Sequence, residues 1–80
     1  MDINDLKRGM VFKYGRPDNS GISFIGTIVI RDCNAYSVHY SFIENGVAVG
    51  LVRVEGAESF LKRVNSDRPE LVLTNDYYLF

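Results

Sequence analysis

Cys33 is the only cysteine in this chain. One thiol closes no internal disulfide and builds no thiolate zinc cluster, and a lone thiol suits a reducing cytosol better than a secreted life. His39 is the only histidine, so no second imidazole is at hand to complete a zinc site. No apolar run approaches the ~20 residues of a membrane span. The opening MDINDLKRG has no basic-then-apolar signal region. These absences predict a soluble, cytoplasmic protein. The net charge of −1 supplies no global field toward nucleic acid or an anionic membrane. Repeats, low-complexity tracts and linkers are absent as well.

What is present reads as one domain, 1–80, near the lower end of what folds without staples. Hydrophobic residues are 46% and charged residues 24% of the chain, a globular balance. The stability margin expected at this size is thin, ~5 kcal/mol, and a homodimer would thicken it.

Gly9 ends any helix begun by INDLKR. In MVFKY, Met10, Phe12 and Tyr14 alternate with Val11 and Lys13, which predicts a short strand. GRPDNSG is dense in turn formers. ISFIGTIVIR reads as a second strand with Ile22, Phe24, Ile28 and Ile30 on one face. Gly26 within it marks a bend, a bulge or a close backbone approach. After the DCNA turn comes YSVHYSFIENGVAVGLVRV, a hairpin about Asn45-Gly46, because both central residues of a type I′ turn need positive φ. Tyr36, Val38, Tyr40 and Phe42 form its core face, and Ser37, His39 and Ser41 the other. A two-residue loop pairs Phe42 with Val49, Tyr40 with Leu51 and Val38 with Arg53. A bulged three-residue loop pairs Tyr40 with Gly50 and Val38 with Val52. The sequence leaves that register open.

The period then changes. Ala57, Phe60, Leu61 and Val64 make one helical stripe, with Glu58 early and Lys62 and Arg63 late, as the helix dipole favours. Asn65 and Pro69 stop it. ELVLT, a turn at Asn75-Asp76 and YYLF read as a second hairpin. The expected fold is mainly β (α+β): a strongly bent antiparallel sheet or small barrel of about five to six short strands, with one short helix near the C-terminal end.

DLKRGMVFKY, then GTIVI, a tight ENG hairpin and SFLKRV before a last strand resemble, in element order, the small SH3-like β-barrels of phage and prophage type. The resemblance implies an accessory protein that inhibits or modulates a host defence or regulatory protein. It does not extend to proline-rich peptide recognition, which goes with a conspicuous tryptophan, an acidic specificity loop and an ALYDY-like start; this chain lacks them.

No catalytic, cofactor or metal set can be assembled from these residues. His39 has no evident partner, since general bases need one within hydrogen-bond reach. Cys33 and His39 are separated by about 20 Å of extended chain, and Asp32 beside Cys33 is the wrong charge to activate a thiol. GRPDNSG lacks the strand-loop-helix frame and the Lys-Ser/Thr of a phosphate loop, and Asp18 and Asn19 lack the spaced acids of a calcium loop.

Two binding surfaces are expected instead. Ser37, His39 and Ser41 are small enough to admit a close approach. Tyr77 and Tyr78 point to opposite faces of a strand, so one looks outward at a possible sheet edge, and tyrosine is enriched at interfaces. Together these five residues form the expected surface for a protein partner or a second copy. The alternative is nucleic acid, bound by the basic run Lys7, Arg8, Lys13 and Arg16.

Overall fold

The computed structural model describes residues 1–80. Five antiparallel strands form one open sheet, and one helix packs on its concave face. The strands are β1 (Met10–Asp18), β2 (Gly21–Cys33), β3 (Ser37–Glu44), β4 (Val47–Gly56) and β5 (Leu71–Tyr77). The helix, α1 (Ala57–Asn65), follows β4 directly, with Gly56 as its N-cap. Sheet order is β4-β3-β2-β1-β5, so α1 carries the chain from one sheet edge to the other. β4 and β5 do not pair, and the sheet does not close into a barrel.

The helical stripe forms as its spacing requires. Ala57 and Phe60 are buried, and Leu61 and Val64 pack beside them. With Leu6, Phe12, Ile28, Ile30, Val38 and Leu71 they make the core. Phe12 meets Phe60 edge to face at 5.6 Å, the geometry that the ring quadrupole favours. The N-terminal residues form a single 3-10 turn, Ile3–Asp5, closed by reciprocal capping between Asp2 and Asp5.

Asn45 and Gly46 both have positive φ, 52° and 78°, and the two-residue loop pairs Phe42 with Val49. Further along, β4 carries two extra residues, so Tyr40 faces Arg53 and Val38 faces Glu55. Neither register expected from the sequence holds over the whole hairpin. An insertion of two preserves the alternation, and Val38, Tyr40 and Phe42 all contribute to the concave side. Tyr36 does not. It precedes β3 in a turn held by the Asn34 side chain and is 86% exposed.

β2 departs further from simple alternation. It carries one extra residue at Ile25, between the pairs Tyr14–Gly26 and Gly15–Phe24, and another at Arg31, between Ile30–Tyr40 and Asp32–His39. Each single-residue bulge reverses which side chains face the core. Phe24 and Ile22 therefore do not share a face with Ile28 and Ile30, and Phe24 is exposed. The bulge at Arg31 turns Cys33 toward the core and leaves Asp32 outside.

Two turns differ from the sequence reading. β1 runs on through Pro17 to Asp18, and only Asn19 and Ser20 lie in the turn. Pro17 is tolerated because β5 pairs β1 no further than Tyr14, so the missing N–H breaks no ladder bond. Asn75-Asp76 is not a hairpin turn. It is a bulge inside β5, opposite Val11, where Thr74 Oγ1 donates to the Val11 carbonyl at 2.9 Å. Hence there are five strands and no C-terminal hairpin.

Candidate binding surface

The outer face of the sheet has its own buried patch. Val11, Val29 and Ser41 are cross-strand neighbours, and all three are buried although they lie outside the helix-side core. Arg31 and the residues after β5 close over this side. The Arg31 guanidinium donates to Ser41 Oγ at 3.4 Å and lies 5.0 Å from the centre of the Phe80 ring. Arg8 lies 4.3 Å from the same ring. Tyr78 packs against Phe80 at 4.7 Å, and its hydroxyl accepts the Ala48 N–H at 3.2 Å.

This arrangement divides the residues expected to meet a partner. Ser41 is fully buried beneath its own chain and cannot be touched from outside. Tyr78 is half-buried and already bonded to β4, whereas Tyr77 is exposed and donates its hydroxyl proton to the Arg8 carbonyl. Ser37 and His39 remain half-exposed, with Ser37 Oγ 3.2 Å from His39 Nε2. That contact was not evident in the sequence, where the two residues were simply alternate positions on one strand.

Asn34 Oδ1 holds the Ser37 side of this contact, 3.4 Å from Ser37 Oγ, but no carboxylate orients the imidazole. Asp32 is the cross-strand partner of His39, but its Oδ1 accepts the Cys33 N–H, and the ion pairs of this chain are those of Arg63 with Glu55 and Glu70. The β2–β3 hairpin also brings Cys33 opposite Val38, next to His39, far closer than extended-chain spacing implied. Their side chains nevertheless lie on opposite faces. The Cys33 thiol lies 3.4 Å from the Leu6 carbonyl, and burial, with Asp32 beside it, pushes its pKa up despite Lys7. A thiol so held is a poor nucleophile. No three His, Cys, Asp or Glu side chains converge as a metal ion would need.

The basic run is also divided. Lys13 projects from the outer face of β1, while Arg16 lies on the concave side, two residues from Tyr14 and four from Phe12 of the core. Lys7 and Arg8 sit before β1, and Arg8 is engaged with Phe80 and the Arg31 carbonyl. The four cations do not form one track.

The largest unsatisfied feature is β4. It lies at a sheet edge and exposes Val47, Leu51, Val52 and Val54, with Leu51 at 89% and Val54 at 64%. Its backbone polarity follows from its partners. The Ala57 N–H reaches the Tyr36 carbonyl, so hydrogen-bonded pairs alternate along the hairpin as Tyr36–Ala57, Val38–Glu55 and Tyr40–Arg53. Val54, opposite His39 in a non-bonded pair, therefore turns its N–H and C=O outward. Ala48 does the same, but Tyr78 caps it. The Val52–Val54 half of the edge is left open. Alternation alone does not say which strand ends the sheet, so the sequence does not mark this stretch as an edge. No helix of the chain is long and apolar enough to cross a membrane.

Compared with protein-family models, curated proteins and solved structures, the chain matches none of them.

Proposed function

We propose that this chain is a non-catalytic protein-interaction module that receives an extended segment of a partner protein along β4. The observation that carries this reading is the open edge at Val52–Val54, where outward backbone groups coincide with exposed apolar side chains. Edge strands of this kind are templates for strand addition, with main-chain bonds supplying affinity and alternate side chains supplying selectivity. Both edge strands bulge, but β5 exposes the polar Asn75 and Asp76 at its bulge where β4 exposes Leu51 and Val52, so β5 is the poorer template for an apolar segment. His39 pairs with Val54 and, with Ser37, adds a polar margin to the same surface. The likeness to phage-type SH3-like barrels belongs to this proposal. The five-stranded antiparallel sheet and the helix before its last strand support it, and in that setting the edge would occupy a surface on a host defence or regulatory protein.

The test compares two baits in nuclease-treated host lysate: the wild-type chain and the double variant Leu51→Glu, Val54→Lys, checked for folding by circular dichroism. A protein retained by the wild type and lost from the variant supports the reading. Equal retention on both baits, or capture that survives only without nuclease, overturns it.

A further inference from the structure

We propose that the concavity beside α1 is a binding site for a small planar aromatic anion. This site is separate from the β4 edge and does not depend on it. α1 is nine residues long and covers only part of the concave face. Beside it a cavity of about 300 Å³ opens among Tyr14, Arg16, Tyr40, Phe42, Arg63 and Leu71, at the lower end of the size range of small-molecule sites.

Its walls are ring faces and edges. Tyr14 and Phe42 stand 5.1 Å apart at 66°, and Tyr40 and Phe42 stand 6.2 Å apart at 77°. All three rings line the cavity, and aromatic walls bind a planar guest by stacking.

The charges at the mouth select the sign of the guest. Arg63 is committed, 2.6 Å from Glu55 and 3.4 Å from Glu70, whose carboxylate also lines the cavity. Burial opposes the Arg63 charge, but Glu55 and the Tyr40 hydroxyl more than restore it and hold its pKa above the ordinary guanidinium value. Arg16 and Arg53 are in neither ion pair. Arg16 lines the cavity together with Phe42, whereas Arg53, which does not line it, lies 4.9 Å from the centre of the Phe42 ring. Among the residues that line the cavity, Arg16 and Arg63 against Glu70 leave one positive charge, in a chain whose net charge is −1. The Arg16 guanidinium, in neither ion pair, beside three rings matches a ligand with a flat body and a carboxylate or phosphate at one end.

The test follows amide chemical shifts during titration with adenosine monophosphate and with indoleacetate. Adenosine supplies a ring without charge, and inorganic phosphate a charge without a ring. Saturable shifts at Gly15, Arg16, Phe42 and Leu71 are expected from at least one aromatic anion. Adenosine and phosphate should each bind about tenfold more weakly or worse. Arg16→Gln should weaken binding by about threefold to tenfold, and Lys13→Gln, on the opposite face, should leave it unchanged. The proposal is overturned if neither aromatic anion gives saturable shifts at the cavity, if adenosine binds as well as its monophosphate and indoleacetate does not bind, or if Arg16→Gln binds like the wild type.

Discussion

The ring of Tyr14 lies over the α-carbon of Gly26, its partner across β1 and β2, so closely that a β-carbon at Gly26 would overlap it. The glycine interrupts the strand because the ring needs its space. One residue earlier the strand bulges at Ile25, and the two features together let the sheet bend around α1.

Gly26→Val should therefore destabilise the fold by about 1–3 kcal/mol, the usual cost of forcing extra volume into a packed site. Urea unfolding checks this, with the midpoint falling and the slope unchanged. A midpoint equal to that of the wild type would mean that Tyr14 moves aside freely.

Tyr78→Phe removes the acceptor of the Ala48 N–H while keeping the ring against Phe80. Expected is a loss of about 0.5–1.5 kcal/mol and faster hydrogen exchange at Ala48. The Val49 amide, on the alternate side of the same strand, should change less. Unaltered exchange at Ala48 would show that water replaces the hydroxyl without cost.

Asp18 accepts hydrogen bonds from the hydroxyls of Ser23 and Ser20 and from the Ser20 N–H. Ser23 is the largest cause, followed by Ser20, of a carboxyl pKa below its ordinary value of 3.8. A depressed pKa means the unfolded chain binds the proton more readily. The β1–β2 hairpin thus has this contribution in full above the ordinary value and loses it as pH falls through the folded one. In an NMR titration Ser23→Ala should move the Asp18 midpoint upward, and an unmoved midpoint would remove Ser23 as the cause.

Alkylation of Cys33 by iodoacetamide near pH 8 should be slower than that of a free thiol, because burial and then Asp32 disfavour the thiolate. Its raised pKa contributes stability that is present below the unfolded value and lost as pH rises through the folded one. Asp32→Asn should speed alkylation by about twofold to threefold. A rate above that of the free thiol in the wild type would contradict this placement.

Local chemistry in the sequence determined the Asn45-Gly46 turn, the Ala57–Val64 stripe and the inward set of Phe12, Tyr14, Val38, Tyr40 and Phe42. Each rests on a near-neighbour rule: positive φ at a two-residue turn, a 3.6-residue period, a two-residue period. The candidate surface was less legible. Ser37 and His39 remain accessible as alternation suggested, but Ser41 on the same face is buried, because Arg31 and Phe80, remote in sequence from it and from each other, meet above it. Only tertiary structure decided where the strands bulge. At Ile25 and Arg31 a single inserted residue reverses a face, and at Asn75-Asp76 an apparent turn is absorbed into an edge strand. Strand alternation is a local property, but a bulge is set by the partner strand and by what the sheet must bend around. The exposure of β4 has the same origin. Its residues read like those of any half-buried strand, and only the order of strands placed them at an edge.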